Sequence, residues 1–309
     1  MWRVRIRGGL HAACTLLLLI ASTSLGQEAP RIGRGLAGGQ FQYTVKKGDS
    51  FASIGARYGV AAAVLARANK LKTYAPLGRG QVIDVDNRHI VPGDVDDGIL
   101  INLPQRMLFF FCEGTLAAYY PVGLGRPTWP TPTGSFEVLE LRENPVWTVP
   151  ESIQREMALE GKIVKKSVPP GPDNPLGDFW MGLSIGSYGI HGTIAPLSIY
   201  GFRTHGCIRL HPDDAAELFS KVSVGQPGEI IYEPVLLARL DNGRIFIEVH
   251  RDVYNKGLDP METVHQLADS NKLSDMIDWM EVQAVLKAHE GIARDVTATN
   301  KSLPTKNPW

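Results

Sequence analysis

The residue types best suited to covalent chemistry are gathered in one stretch of this sequence. They are His191, Gly192, Thr204, His205, Gly206, Cys207 and Arg209. A cysteine thiol is mostly protonated at neutral pH, so a nucleophilic cysteine needs a base that takes up its proton, and histidine can be that base. Because two histidines and several glycines converge on one cysteine, the stretch indicates acyl transfer through a thioester rather than a purely structural role.

We expect Cys207 to be the nucleophile. Gly206 has no Cβ, so a substrate carbonyl can approach closely, and the amides of Gly206 and Cys207 can point at a developing oxyanion. His191 lies where a strand-like run opens into a loop, which suits a rigidly held base. His205 lies two residues before Cys207 and shares its face in an extended backbone. From the residues alone, both histidines remain candidates.

The elements that must position these residues are short apolar runs separated by glycine and proline. We predict strands over residues 99–103, 107–112, 116–123, 135–141 and 228–232, and a helix over 213–222. This pattern predicts a mainly β domain of sandwich or barrel type. Residues 125–134 are either a rigid hairpin connection or a wall of the substrate site. The loop 161–177 is long enough to be a lid, and we place it over the site.

The stretch resembles the L,D-transpeptidase catalytic domain (the YkuD type) of bacterial cell-wall synthesis. The family signature is a histidine, a spacer, then Ser or Thr, His-Gly-Cys, an apolar residue and Asn or Arg. Here it is met by His191, Thr204, His205, Gly206, Cys207, Ile208 and Arg209. The short spacer, and arginine in place of the commoner asparagine, resemble the periplasmic subfamily. The similarity extends over residues 90–234, which we take as the catalytic domain.

The resemblance implies a reaction and a role for each residue. His191 would be the base, and Cys207 would attack the carbonyl of meso-diaminopimelate in a tetrapeptide stem and release D-alanine. An amine would then accept the acyl group, with water as acceptor giving an L,D-carboxypeptidase instead. His205, Thr204, Arg209 and Gly192 would shape the site, and Arg209 could pair with substrate carboxylates. No cofactor or metal is implied.

Two other interpretations stay open. A sparse zinc site could use His191, His205, Cys207 and His211, because imidazole and thiolate suit that metal. Alternatively, the protein is a non-catalytic adaptor that binds the cell wall, although an intact His191 with Cys207 argues against this.

Residues 42–86 predict a small β-α-α-β unit. Tyr43-Thr44-Val45 is strand-like, Ser50 is placed to cap a helix that ends at Gly59, and a second short helix stops near Asn69 before a returning strand. The unit resembles a LysM domain, a family that binds glycans containing N-acetylglucosamine. The resemblance places glycan contacts at Gly48, Asp49, Ser50 and Asn69.

The first 26 residues combine three arginines with an apolar run and a small-residue cleavage context, which predicts a signal peptide. The formal charge of zero, or −3 without these residues (0 − 3), does not suggest a nucleic-acid partner. The signal peptide predicts export, and the resemblance to the periplasmic subfamily implies the periplasm of a Gram-negative-type bacterium. The expected partners are peptidoglycan stems and glycan strands, a lipoprotein as one possible acyl acceptor, and a periplasmic thiol reductant.

The remaining segments carry no predicted chemistry. Residues 27–41 are interpreted as a linker, residues 235–296 as an α/β packing extension with helices capped at Asp259 and Asp278, and residues 297–309 as a disordered tail. Cys112 ends an apolar run that predicts a buried strand. Because a catalytic thiol must stay free, we expect no disulfide between Cys112 and Cys207.

Overall fold

The computed structural model describes residues 32–93 and 95–298. The predicted signal peptide lies outside the described residues. The helices are α1 Phe51–Tyr58, α2 Ala62–Ala68, α3 Glu151–Leu159, α4 Pro212–Lys221, α5 Pro260–Ser270 and α6 Trp279–Ala288. The strands are β1 Gly35–Ala37, β2 Gln40–Thr44, β3 Val82–Asp86, β4 His89–Val91, β5 Gly98–Asn102, β6 Met107–Cys112, β7 Thr115–Pro121, β8 Leu124–Gly125, β9 Gly134–Glu143, β10 Trp147–Thr148, β11 Ser167–Val168, β12 Phe179–Leu183, β13 Gly189–His191, β14 Phe202–Thr204, β15 Ile208–Arg209, β16 Pro227–Ile231, β17 Val235–Arg239, β18 Ile245–Val249 and β19 Arg294–Asp295.

The first unit is the predicted β-α-α-β arrangement. Strands β2 and β3 pair antiparallel, and α1 and α2 lie between them in the chain. Ser50 caps α1 by accepting from the Ser53 amide, and Gly59 ends the helix with a φ of 73°. Phe51 and Ile54 of α1 are buried in the core of this unit.

The central part of the chain is an eight-stranded sheet, as the mainly β prediction required. Its strand order is β15-β13-β12-β9-β16-β5-β6-β7. Ala215 and Leu218 of α4 pack into the same apolar core as the sheet residues Ile99, Val138 and Ile190. The ten-residue strand β9 joins the half that carries the motif residues to the half that forms the buried β5-β6 hairpin.

The two parts of the motif meet through a parallel strand pair. Strand β13 pairs with β15, with Ile190 opposite Ile208 and His191 opposite Arg209. Ile190 and Ile208 point into the core. Because side chains alternate along a strand, His191, Cys207 and Arg209 lie together on the opposite face. This pairing is the element that builds the site.

The C-terminal part forms its own core. Strands β17, β18 and β19 make a three-stranded sheet that packs against α5 and α6. Asp259 caps α5 and Asp278 caps α6, each accepting from two amides of the first turn. None of the helices in the described ranges is long and apolar enough to cross a membrane.

Three expectations from the sequence are corrected. Within the predicted linker, β1 pairs with β4, and Gly33 packs so closely that a Cβ there would lie 2.3 Å from Ile90 Cγ2. At the start of the predicted disordered tail, Thr297 bridges Ile277 and accepts from the Ile245 amide; residues 299–309 lie outside the described residues. Cys112 is exposed rather than buried, because it is the last residue of β6 before a turn.

A buried polar cluster joins the three parts of the chain. The carboxylate of Glu248 in β18 lies 2.7 Å from His89 Nδ1 and 2.7 Å from His250 Nε2, and it also accepts from the Ile90 amide and from Gln105. His89 Nε2 reaches the carbonyl of Gly59 at the end of α1 at 2.9 Å. Both carboxylate oxygens of Glu248 therefore have hydrogen-bond partners. A buried charge requires such partners, because it has lost its contact with water.

Candidate active site

The predicted site residues line a cavity of about 810 Å³ on the polar face of the β13-β15 pair. His191, Cys207, Arg209, Thr204 and His205 all contribute to its wall. The remaining lining residues come from four segments and are Thr128, Trp129, Pro130, Pro132, Trp147, Pro150, Ser152, Ile153, Pro175, Leu176, Ser187 and Tyr188. The 125–134 segment thus forms a wall of the cavity. Of the two interpretations of this segment, the structure therefore favours the wall of the substrate site.

Cys207 is a half-buried free thiol. Burial raises its pKa, while a hydrogen bond from the Gly189 backbone and the positive charge of Arg209 act in the opposite direction. Burial is the largest of these effects, because moving the charged thiolate out of water is costly. The resting form of Cys207 is therefore the neutral thiol.

His191 is buried, with 3% of its surface exposed. Its Nδ1 lies 2.6 Å from the Gly192 carbonyl, and a carbonyl only accepts, so Nδ1 carries the proton and Nε2 keeps its lone pair. Burial, followed by the charge of Arg209, lowers the pKa of His191 to about 4. Trp180 stacks beside the ring at 5.9 Å between centroids. His191 is thus a neutral imidazole held in one tautomer.

His205 is engaged elsewhere, which separates the two histidines. Its Nε2 lies 2.5 Å from Glu156 Oε2 on α3, and its ring meets the edge of Trp129 at 4.3 Å. Glu156 also accepts from Arg126 at 2.6 Å. These contacts make His205 a link between the cysteine loop and α3, and leave His191 as the candidate base.

The Gly206 amide, which the sequence suggested as an oxyanion donor, makes a hydrogen bond within its own loop. Its N–H donates to Thr204 Oγ1 at 3.1 Å, and the same hydroxyl donates to the Cys207 carbonyl at 2.7 Å. Gly206 has a φ of +107°, and a Cβ there would lie 2.3 Å from the ring of Tyr188. Thr204 and Gly206 therefore shape the loop, and the Cys207 amide remains the candidate donor of the two.

The guanidinium of Arg209 has few hydrogen-bond partners. It is largely buried, its Nη1 donates to Ser198 Oγ at 3.3 Å, and its Nε has no hydrogen-bond partner among the described residues. Burial lowers the pKa of Arg209. A desolvated guanidinium that lines a cavity is suited to a carboxylate ligand, because a bidentate pair would satisfy its free donors.

Gly192 positions His191. Its carbonyl accepts from His191 Nδ1, and its amide donates to the Phe179 carbonyl at 3.2 Å. A Cβ at Gly192 would lie 3.3 Å from the Leu176 carbonyl, so the segment before β12 packs directly on it. Within the predicted lid, residues 161–177, only Pro175 and Leu176 line the cavity.

The zinc interpretation is not supported by the geometry. His205 is turned to Glu156, and His211 Nδ1 accepts from the Asp213 amide as the cap of α4. Among the residues that the structure describes, the group with spacing suited to a metal ion is His89, Glu248 and His250, not the cysteine cluster.

Three of the four predicted glycan-contact residues, Asp49, Ser50 and Asn69, make hydrogen bonds within the LysM domain. Gly48 is exposed with a φ of +89°, and Asp49 accepts from the Lys46 amide and the Tyr43 hydroxyl. Ser50 is the cap of α1. Asn69 bonds both backbone groups of Asp84.

Sequence reasoning missed the contribution of α3. This helix supplies Ser152 and Ile153 to the cavity and Glu156 to His205. The segment from Glu151 to Leu159 has no side-chain cap and buries none of its residues, so neither a capping residue nor a place in the apolar core marks it as a helix. Tyr188, whose ring lies against Gly206, was missed for a different reason. This contact joins the residue before β13 to the loop after β14, and it cannot be seen in the local sequence.

Comparison with known proteins agrees with this geometry. Residues 96–230 match the L,D-transpeptidase catalytic domain (YkuD), and residues 43–86 match the LysM domain. The chain is 30% identical over 302 residues to a probable L,D-transpeptidase, ErfK/SrfK, of Salmonella typhimurium, covering 93% of this chain and 96% of that protein.

The chain belongs to the L,D-transpeptidase family. A second relative, the probable L,D-transpeptidase YbiS of Escherichia coli, is 34% identical over 250 residues, which is 78% of this chain and 80% of that protein. Among solved structures, L,D-transpeptidase 3 from Mycobacterium tuberculosis aligns with a TM-score of 0.35 at 16% identity, covering 50% of this chain and 76% of that one. This L,D-transpeptidase thus combines a YkuD domain with a LysM domain before it.

Proposed function

We propose that this enzyme is an exported peptidoglycan L,D-transpeptidase that works through an acyl-enzyme on Cys207. The observation that carries the proposal is the joint placement of Cys207, neutral His191 and the sparsely compensated cation Arg209 on one wall of the cavity. Family membership supports the reaction class, and the geometry supports the proposed roles.

The proposed chemistry has two halves. In the first, His191 Nε2 takes the thiol proton, the sulfur bonds to the carbonyl carbon of meso-diaminopimelate, and the amide bond to D-alanine breaks. His191 returns the proton to the departing amine. In the second, an acceptor amine attacks the thioester, His191 takes its proton, and the thiol is regenerated. The low pKa of His191 makes its imidazolium a strong acid for the leaving amine.

Arg209 would hold a carboxylate of the donor stem. Stem peptides end in a carboxylate, and the Nε of Arg209 lacks a partner among the described residues. An ion pair there would bring the scissile amide to the sulfur in a fixed orientation. The Cys207 amide would then contribute to the oxyanion site.

The other assignments complete the proposal. The LysM domain would hold glycan strands of peptidoglycan, and the predicted signal peptide would deliver the enzyme to the periplasm. The acceptor would be the side-chain amine of a second stem, or the lysine of a cell-wall lipoprotein. Because the oxidising compartment threatens a free thiol, a periplasmic thiol reductant would maintain Cys207.

The test is a product assay with the chain from residue 27 onward and disaccharide-tetrapeptide muropeptides. Wild-type protein should release D-alanine and form cross-linked dimers, while Cys207→Ala should do neither. Cys112→Ala is the matched control and should retain activity, because Cys112 lies exposed at the end of β6.

Two other outcomes are informative. Tripeptide products without dimers, whatever amine is added, would make the enzyme an L,D-carboxypeptidase. No turnover by folded, reduced protein that still sediments with peptidoglycan sacculi would contradict the proposal in favour of a wall-binding adaptor.

A further inference from the structure

The chain from the last two residues of α3 to the first residue of β11 is exposed along its whole length. We call residues 158–167 the basic tip. Leu159 is 89% exposed and Ile163 is 88% exposed. Val164 beside them is 42% exposed. Single exposed aliphatic side chains are ordinary on a protein surface, but two that are almost fully solvated four residues apart form a patch.

The charge of the basic tip is positive. It carries Lys162, Lys165 and Lys166 against one acid, Glu160, which gives +2 (3 − 1). Glu160 pairs with Lys162 at 2.6 Å. Lys165 and Lys166 form no ion pair with the described residues. Aliphatic side chains flanked by unpaired lysines are the composition that anionic lipid surfaces attract.

The fold holds the basic tip away from the body of the protein. Its base is fixed by the β10-β11 pairing and by the Val149 amide, which donates to the Lys166 carbonyl at 3.0 Å. The turn after α3 is closed by the Lys162 amide, which donates to the Met157 carbonyl at 2.8 Å. Because α3 buries no residue, Leu159 and Ile163 have no apolar surface to cover them.

We propose that the basic tip docks this enzyme on the surface of an anionic phospholipid membrane. The lysines would lie at the headgroups while Leu159, Ile163 and Val164 enter the boundary of the acyl chains. Helix α3, which leads into the basic tip, carries Ser152 and Ile153 of the cavity wall and Glu156, the partner of His205. Docking would therefore hold the active-site cavity close to the membrane.

The experiment is vesicle co-sedimentation of the chain from residue 27 onward. One set of vesicles contains equal parts of phosphatidylglycerol and phosphatidylcholine, and the other contains phosphatidylcholine alone. We expect binding to the anionic vesicles that weakens with added salt. Removing the three lysines in Lys162→Gln/Lys165→Gln/Lys166→Gln should lower the partition coefficient by about 100-fold, since each lysine near such a surface contributes roughly fivefold.

The apolar contribution is tested separately. Leu159→Ser/Ile163→Ser should weaken binding by at least about tenfold, because both side chains would enter the membrane. Met280→Ser is the matched control, since Met280 is 83% exposed on α6 between acidic residues. The control for charge is Lys256→Gln/Lys272→Gln/Lys287→Gln, which changes three exposed lysines of the C-terminal part.

Several outcomes would overturn the proposal. Equal binding to both kinds of vesicle, or equal loss in the tip variants and their controls, would overturn the proposal. Binding to an acidic polypeptide but to neither vesicle would overturn it too, in favour of a protein partner. The readout does not depend on catalysis, so Cys207→Ala should bind vesicles like the wild type even if the proposed reaction is wrong.

Discussion

Burial keeps both reacting groups of the site uncharged at neutral pH. It raises the pKa of Cys207 and lowers that of His191 to about 4. The proton would therefore leave the thiol as the sulfur attacks, rather than in a pre-formed thiolate-imidazolium pair. This state also slows oxidation of the thiol, because the thiolate is the form that is oxidised.

The pH dependence of kcat/KM follows from the pKa of His191. The base must be neutral, so activity should be lost only as the pH falls through about 4, well below the ordinary histidine value of 6.5. We expect kcat/KM for D-alanine release to be constant from about pH 5 to pH 7. An inflection near 6.5 would show that His191 is not the base or is not desolvated.

Arg209 should act on both binding and protonation. Arg209→Gln should raise KM for the tetrapeptide donor by roughly 10- to 100-fold, the range for a lost hydrogen bond to a charged group. It should also move the acid limb of kcat/KM to higher pH, because the charge of Arg209 helps to lower the pKa of His191. Arg209→Lys keeps the charge and should leave the acid limb in place. An unchanged KM in Arg209→Gln would contradict the carboxylate role.

The motif residues were predictable because their chemistry is local. A cysteine, a histidine and their spacing suffice to propose a nucleophile and a base. The choice between His191 and His205 was not predictable, because it depends on Glu156, 49 residues away from His205. The hydrogen bond from the Gly206 amide to the Thr204 hydroxyl was not predictable either, because it depends on the conformation of the loop.

At the scale of elements, α3 is attached to the site chiefly through one polar junction. Glu156 meets Arg126 and His205, and these contacts lower the pKa of Glu156, with Arg126 the larger cause. The helix contributes no buried residue. Its position over the cavity therefore depends on ion pairing more than on apolar packing.

Glu156→Gln should loosen α3 without unfolding the protein. We expect faster amide hydrogen exchange over residues 150–160 and weaker donor binding, with the melting temperature nearly unchanged. Glu151→Gln, in the exposed first turn of the same helix, is the control and should leave exchange unaffected. Unchanged exchange in Glu156→Gln would mean that other contacts hold the helix.

Strands and most helices were predictable from pattern, and α3 was not. The apolar runs of β5 and β6 and the caps of α5 and α6 are visible in the sequence because they combine periodicity with turn and capping residues. In α3, there is no side-chain cap and no residue is buried. Strand β1 was also missed, since its pairing with β4 joins a glycine-rich segment to residues about 50 positions later.

At the scale of the whole molecule, several polar contacts tie the LysM domain to the rest of the chain, among them the ion pairs Arg67–Glu290 and Asp86–Arg294. Arg57 of α1 pairs with Asp214 of α4 at 2.6 Å. The cluster of Glu248, His89 and His250 connects the end of α1 to β4 and β18. Such long-range partners leave no mark in local sequence, so the sequence predicted the parts but not how they join.

Glu248→Gln should destabilise the whole protein. Removing one charge from a buried, hydrogen-bonded cluster leaves its partners uncompensated and costs about 3 to 5 kcal/mol. The hydrogen-bonded histidines hold the pKa of Glu248 at about 2, below its ordinary 4.5, although burial alone would raise it. The stabilising contribution is therefore complete above pH 4.5 and is lost as the pH falls towards 2.

Urea unfolding at pH 7 measures this contribution. The control is Glu137→Gln, which changes an exposed carboxylate on β9 and should leave the midpoint unchanged. Wild-type and Glu248→Gln stabilities should converge as the pH is lowered from 4.5. A Glu248→Gln protein as stable as the wild type would contradict the charged state of the cluster.

The central claim, an acyl-enzyme on Cys207, is tested most directly by intact-mass analysis of the chain from residue 27 onward after brief incubation with a tetrapeptide muropeptide. The account predicts an adduct with the mass of the donor minus D-alanine, present in wild type and Cys112→Ala and absent from Cys207→Ala. Folded, reduced protein that turns over the donor without an adduct, or an adduct that persists in Cys207→Ala, would contradict it.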